Sequence, residues 1–255
     1  MSGVPPLRDI HKKGVFGNHH KQEESSLLKI SANSKLKIFQ IVQYKKSKIE
    51  PKDIDGLKLP TASLTVNSNS DLTYNQTRVM WSGPRICIVV SNKPNITDMI
   101  KETFNTKDFA VTDLSQSRSV IEIKGKNAKE VLKKGCPLNF DNFKKNNCAG
   151  SVFHGITVLI DMIDDNPDTF NLFCLRSFSE SFYHAITDSA LEDGYIGVYF
   201  YINSNQFFNS ASRILSFNLE FSFCINSMCF TTSSESLKTF FSIKSFDRCL
   251  INLII

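Results

Sequence analysis

Asp113-Leu-Ser-Gln-Ser-Arg-Ser-Val-Ile-Glu-Ile-Lys-Gly125 runs directly into Lys126-Asn-Ala-Lys-Glu-Val-Leu-Lys-Lys-Gly-Cys-Pro-Leu138, and the fold class turns on how these two pieces join. Ser119 to Ile123 is a β-branched run that reads as a strand. Asn127 to Gly135 reads as a short helix, with Asn127 as N-cap, apolar Ala128, Val131 and Leu132 on one face, and a Glu130–Lys134 i,i+4 pair. Gly135 is the expected stop, able to take the left-handed conformation that closes a helix. Upstream, Arg78 to Trp81 and Ile86 to Val90 are strand-like runs around the turn Ser82-Gly83-Pro84-Arg85. Ile96, Met99, Ile100, Thr103 and Phe104 then share a helical face, and Phe109 to Leu114 reads as a strand. Downstream, Cys148 to Phe153 and Ile156 to Ile163 pair as a hairpin about His154-Gly155, and Phe170 to Leu175 returns after the turn Asp164 to Asp168. Ser177-Phe-Ser-Glu180 spells a capping box for a helix with the stripe Phe182, Ala185, Ile186, Ser189 and Ala190, closed by Gly194. This order of strands and helices predicts an α+β fold with a mainly antiparallel sheet and ferredoxin-like split βαβ pieces.

The flanks are less regular. Residues 1–29, broken by Pro5-Pro6, Gly14 and Gly17, read as an N-terminal arm that lies over the surface or wraps a partner. Lys35 to Tyr44 alternates as a half-buried strand, and residues 30–196 form the expected α+β domain. Residues 197–255 are a Phe-, Ser- and Asn-rich extension of uncertain fold: after Gly197 neither Gly nor Pro recurs, and no period holds for long.

Across the 255 residues, 41% are hydrophobic and 22% charged, the composition of a globular chain. A formal charge of +5 is scattered, with acidic residues interleaved throughout, so neither nucleic acid nor a membrane is an expected partner. The N-terminus carries no signal-peptide core and no apolar run approaches a bilayer span, so a cytoplasmic location is expected. Seven cysteines at irregular spacing, with no CxxC pair, read as reduced thiols. No GxGxxG or GxxxxGK[ST] loop, HExxH, GxSxG or kinase signature occurs. Four features bear on chemistry. His11, His19 and His20 lack further ligands at metal spacing and read as solvated loop residues. The acidic run Asp161, Asp164, Asp165 and Asp168 lacks the remaining ligands of a calcium loop and reads as a solvated turn. Cys136 follows a helix C-terminus, where the dipole opposes thiolate formation, with no histidine nearby in sequence. Arg118 sits between two strands; a loop arginine can clamp an anion, but pairing with a carboxylate of the same chain or of a partner subunit is the commoner fate.

Asp113 to Gly125, Ala128 to Leu132 and Lys134-Gly-Cys-Pro-Leu138, followed by Cys148-Ala149, the Asp164-Asp165 turn and Arg176-Ser-Phe-Ser-Glu-Ser-Phe182, closely resemble the gamma-subunit family of heterotetrameric sarcosine oxidases. The resemblance covers about residues 57–195. It implies a fold related to the folate-binding aminomethyltransferase domain. It also implies a structural subunit of a cytoplasmic flavoenzyme complex in sarcosine catabolism and one-carbon metabolism. That complex oxidatively demethylates sarcosine to glycine, passing the one-carbon unit to tetrahydrofolate or releasing formaldehyde, with hydrogen peroxide as product. The partners implied are the alpha, beta and delta subunits, which would carry FAD, FMN, NAD, zinc and tetrahydrofolate. No catalytic, cofactor-binding or metal residue is assigned to this chain. The alternative is a stand-alone folate-binding aminomethyltransferase-like or iron–sulfur-maintenance protein; relatives of that kind share Lys-Gly-Cys but continue Gly-Gln-Glu, where this chain has Pro137-Leu-Asn-Phe140. An α+β binding module of another kind is the third reading.

Overall fold

The computed structural model describes residues 5–19, 23, 26–34, 36–51, 53–68 and 76–199. In chain order the elements are β1 (Gly14–Phe16), β2 (Leu28–Asn33), β3 (Lys37–Gln43), β4 (Val66–Ser68), β5 (Thr77–Gly83), β6 (Ile86–Ser91), α1 (Ile96–Thr103), β7 (Phe109–Asp113), β8 (Arg118–Lys124), α2 (Ala128–Lys133), β9 (Cys148–Phe153), β10 (Ile156–Asp165), β11 (Asp168–Leu175), α3 (Ser179–Ala190) and β12 (Tyr195–Tyr199). They build a seven-stranded sheet, ordered β1-β12-β2-β8-β11-β10-β9, and a five-stranded sheet, ordered β4-β5-β6-β3-β7. All pairings are antiparallel except β12 with β2. In the smaller sheet β6 and β7 flank β3, joined through α1; in the larger, β11 reaches β12 through α3 across β8 and β2. These are the split βαβ pieces expected from the order of elements.

Side-chain alternation divides the interior into three buried clusters. Val79, Cys87 and Val89 of the small sheet pack on Ile96, Ile100 and Phe104 of and after α1. Ile121, Ile123, Val158, Ile160 and Met162 of the large sheet pack on Val131 and Leu132 of α2 and Phe182 and Ile186 of α3. The alternate residues Met80, Ile88 and Val90 of one sheet meet Val120, Cys148 and Phe173 of the other. The layering is therefore helix, sheet, sheet, helix. Strands buried on both faces explain why Ile86 to Val90 reads as an unbroken apolar run rather than an alternating one.

The structure departs from the sequence reading at several local points. Gly135 does not adopt a positive φ. Its lack of a side chain serves packing instead, because a Cβ there would stand 2.6 Å from His154 Cδ2 and 2.9 Å from Phe153 Cε2. Asn127 makes no side-chain cap bond, and Lys134 reaches Glu192 at 2.9 Å rather than Glu130, which pairs with Lys133. Ser177 is not a cap: the chain leaves β11 through a 3₁₀ turn at Arg176–Phe178, and α3 begins only at Ser179, whose hydroxyl donates to the Arg176 carbonyl at 2.7 Å. The stripe of α3 consequently includes Tyr183 and Thr187, with Ala185 and Ser189 only half-buried. In the β5–β6 turn Arg85, not Gly83, takes the left-handed conformation at φ 62°.

The two ends of the expected domain also differ. Part of the segment read as an arm belongs to the large sheet: β1 pairs Gly14, Val15 and Phe16 with Gly197, Ile196 and Tyr195, and Leu7 and His11 are buried. Strand β12 carries through residue 197 to Tyr199, past the boundary expected at 196. A side chain at Gly197 would collide with the Lys12 carbonyl, so glycine there lets the N-terminal segment lie against β12. The remainder of the Phe-rich extension, from residue 200, lies outside the described residues, as does His20.

Candidate functional site

The chemically capable side chains singled out from the sequence fall at separate places, and Cys136, His11, His19, Asp161, Asp164 and Asp168 each find a partner within the chain. Cys136 follows α2, buried, with its Sγ 3.2 Å from Ser151 Oγ. The His154 ring packs over neighbouring Gly135 but turns Nε2 toward Ser189 Oγ at 3.4 Å. Cys87, Cys148 and Cys174 are buried free thiols. Burial pushes Cys87 and Cys174 up to about 11, and burial together with the nearby Asp161 carboxylate pushes Cys148 up to about 12. These three are therefore held as thiols rather than nucleophilic thiolates at neutral pH.

His11 is not a solvated loop histidine. It is buried, with Nδ1 2.9 Å from Tyr183 Oη on α3 and Nε2 2.8 Å from the Val198 carbonyl on β12. A carbonyl can only accept, so Nε2 carries a proton and donates. In the neutral ring Nδ1 then accepts from the Tyr183 hydroxyl, and burial pushes that phenol up to about 12, which keeps the donor in place. His19 sits apart, Nδ1 2.8 Å from the Gly17 carbonyl. Among the described residues no group of His, Cys, Asp or Glu gathers as a metal site.

The acidic run divides by strand geometry. Asp161 lies on the face of β10 opposite Ile160 and Met162 and is fully buried between the sheets. This corrects its reading as part of a solvated turn. Asp164 pairs with Lys145 at 3.4 Å and Asp168 with Lys129 at 3.5 Å. The partner of Asp161 is Arg78 on β5, a residue the sequence offered only as the start of a strand. Arg78 Nε donates to Asp161 Oδ2 at 2.8 Å and Nη2 to Asp161 Oδ1 at 2.7 Å. The remaining donors reach Asn146 Oδ1 at 3.2 Å and the Met162 carbonyl at 3.3 Å. This bidentate pair ties the small sheet to the large one, with side chains 5% and 0% exposed. In the sequence the pair shows only as an arginine beside Val79 and Met80 and an aspartate between Ile160 and Met162; a charge buried among such neighbours needs a partner, without the sequence saying which.

The outer surface shows apolar side chains where chain ends and edges lie. Leu175 is 39% and Phe178 49% exposed, next to Arg176, and Val152 on edge strand β9 is 40% exposed. Arg118 opens β8, half-buried, opposite Leu175 in the register. Such a combination of apolar side chains, arginines and a strand edge that is open among the described residues can bind a partner surface.

The sequence profile described as "Sarcosine oxidase, gamma subunit family" matches residues 52–192. The sarcosine oxidase subunit gamma of Corynebacterium sp. (strain U-96) is 27% identical over 140 residues, 54% of this chain and 65% of that protein. This chain thus matches just under two thirds of that relative's length. Among solved structures, the heterotetrameric sarcosine oxidase from Corynebacterium sp. U-96 in complex with pyrrole 2-carboxylate contains a chain with the same fold. The TM-score is 0.63 and the identity 19%, over 75% of this chain and 97% of that one. The glycine cleavage system aminomethyltransferase T from Bartonella henselae is similar at a TM-score of 0.52 and 13% identity, over 73% of this chain and 57% of that one. These two likenesses are of fold, and they agree with the expected aminomethyltransferase-like α+β architecture. Within the described residues no helix is long and apolar enough to cross a membrane. With more than half of its length matched by the family profile, this chain belongs to the sarcosine oxidase gamma subunit family.

Proposed function

We propose that this chain is the gamma subunit of a heterotetrameric sarcosine oxidase and that its part there is structural. The observation that carries the reading is the family match over residues 52–192, which spans β4 to α3 and both faces of the inter-sheet core. The internal use of Cys136, His11 and Asp161 supports a scaffolding part, since each is engaged in packing or pairing within the body. Exposed Leu175, Phe178 and Val152 supply apolar area of the kind a partner subunit covers. In this reading the alpha, beta and delta subunits carry FAD, FMN, NAD, zinc and tetrahydrofolate. The assembly oxidises sarcosine to glycine with transfer or release of the one-carbon unit and formation of hydrogen peroxide, and it works in the cytoplasm.

Co-purification tests this directly. The tagged full chain, expressed with its neighbouring genes, is expected to bring down a stoichiometric yellow complex that consumes oxygen only when sarcosine is added. A colourless, monodisperse chain emerging alone overturns the proposal, and tetrahydrofolate titration of that chain then decides for the stand-alone folate-binding alternative.

A further inference from the structure

Strand β7 closes the small sheet, with β3 on one side and no strand on the other among the described residues. The Tyr44 amide donates to the Asp108 carbonyl at 2.9 Å and the Leu114 amide to the Ile38 carbonyl at 2.7 Å, and between them Val42 stands opposite Ala110 and Gln40 opposite Thr112. In an antiparallel ladder alternate residues turn their backbone groups to the neighbour, so Ala110 and Thr112 face β3 while Phe109, Val111 and Asp113 face outward. The Phe109 amide donates to the Asn105 carbonyl at 3.0 Å, but the amides and carbonyls of Val111 and Asp113 have no partner among the described residues. The other edges offer less. Strands β1 and β4 have 3 residues each, and β9 is engaged at both ends, through the Cys148 amide on the Leu64 carbonyl and the following His154 amide on the Gly135 carbonyl. Natural sheets guard an open edge with Pro, Lys or a bulge. Phe109-Ala-Val-Thr-Asp113 has none of these, and Val111 stays 37% exposed on the face by which Phe109 packs toward α1. An edge of this kind is a template for an added strand.

The surface at one end of β7 specifies the chemistry of that strand. Lys107 precedes β7, and the Tyr44–Asp108 bond brings the turn after β3 beside it. This turn carries exposed Lys45, Lys46 and Lys48 between Tyr44 and Ile49, which are 43% and 48% exposed. None of these four lysines makes an ion pair among the described residues, whereas Lys93, Lys129, Lys133, Lys134 and Lys145 each do. Arg85 adds a further cation, its guanidinium donating to the Tyr44 carbonyl at 3.1 Å. The acids within residues 44–50 and 105–108 are Glu50 and Asp108. A surplus of unpaired cations around two exposed apolar side chains complements an acidic partner.

We propose that β7 receives an extended segment of another subunit as an added strand, apolar where it lies against Val111 and acidic where it passes Lys107 and the turn from Lys45 to Lys48; this rests on the chain's being a structural subunit. The test is amide-resolved hydrogen exchange of the full chain titrated with two acidic peptides. These are acetyl-Glu-Glu-Glu-Thr-Val-Thr-Val-amide, for parallel addition, and acetyl-Val-Thr-Val-Thr-Glu-Glu-Glu-amide, for antiparallel addition, each with a lysine-for-glutamate version as control. Saturable slowing of exchange at the Val111 and Asp113 amides is expected with at least one acidic peptide, and binding of the lysine versions is expected to be weaker by about tenfold or more. V111P removes an outward donor and leaves the bonds of Ala110 and Thr112 to β3 in place; read at Asp113, it is expected to weaken binding about fivefold or more. K45E/K46E/K107E reverses the local charge outside the ladder and is expected to weaken binding about tenfold or more, whereas K12E/K29E/K126E, on the large-sheet side, leaves it unchanged. Unshifted amides around Arg78 and Asp161 establish that each variant is folded. In the co-purified assembly the Val111 and Asp113 amides are expected to be protected without peptide. If no assembly forms, the structural-subunit reading fails by itself and the peptide titration still decides what β7 binds. The proposal is overturned by absence of saturable slowing with either acidic peptide, by equal binding of the lysine versions, or by undiminished binding in a folded K45E/K46E/K107E. An assembly in which Val111 and Asp113 exchange as fast as in the isolated chain overturns it too, and so does protection that rises with chain concentration in the absence of peptide, which assigns the edge to a second copy.

Discussion

Replacing Arg78 with methionine is expected to be the most damaging single change in the inter-sheet layer. The substitution keeps an apolar stem but removes both hydrogen bonds to Asp161, at 2.7 and 2.8 Å, and the contacts with Asn146 and Met162. Asp161, fully buried, is left as an uncompensated charge between two sheets. Breaking a buried pair in this way costs about 3–5 kcal/mol, a large share of the roughly 5–15 kcal/mol that holds a domain folded. With a urea slope of about 2 kcal/mol/M, a 4 kcal/mol loss moves the midpoint down by about 2 M. Trp81, the single tryptophan of the chain, lies in the same strand and reports the transition by fluorescence. Removing both partners, in R78M/D161L, replaces the pair by apolar groups and is expected to recover most of the loss. A folded R78M whose midpoint falls by less than about 0.5 M would refute the reasoning, as would a double variant as unstable as the sum of its singles.

Three further outcomes are expected. Burial raises the Glu122 carboxyl, against a smaller opposing effect of Lys124; the folded state therefore holds the proton more tightly, and stability is lost as pH rises through the raised value. Glu122→Gln should gain stability relative to the parent between pH 4 and pH 7 in chemical denaturation, and a pH-independent difference would contradict this. Gly135→Ala forces a methyl against His154 and fully buried Phe153 and should cost about 1–3 kcal/mol, measured by thermal unfolding, with an unchanged midpoint as the contrary result. His11→Ala strips partners from Tyr183 and Val198 and should cost about 1–3 kcal/mol; faster hydrogen exchange at the β1–β12 pairing would accompany it, and unchanged exchange would argue against His11 as the anchor of the N-terminal segment.

Regular elements were legible because local pattern and burial agree. Ile86 to Val90, Ser119 to Ile123 and Ile156 to Met162 are β-branched runs whose alternate residues do face different clusters, and Ile96 to Phe104 places Ile96 and Ile100 inward as its spacing requires. His154-Gly155 was legible as a turn because both residues take positive φ, which a two-residue hairpin demands. What escaped was long-range. His11 finds Tyr183 at a separation of 172 residues, and Arg78 finds Asp161 across 83; nothing local to either residue names its partner. Asp161 was misread because it was grouped with its acidic neighbours rather than by the face of β10 on which it alternates. The capping signal at Ser177 failed for a different reason: the chain needs a 3₁₀ turn to leave β11, which delays α3 to Ser179.

The structural-subunit account is tested most directly by leaving the chain out. The neighbouring genes are expressed with and without it, and flavin content, native mass and sarcosine-dependent oxygen consumption are recorded for each preparation. The account predicts that the preparation lacking this chain loses the intact complex and its turnover, and that adding the purified chain restores both up to one equivalent. Full assembly, flavin loading and turnover without the chain would contradict it.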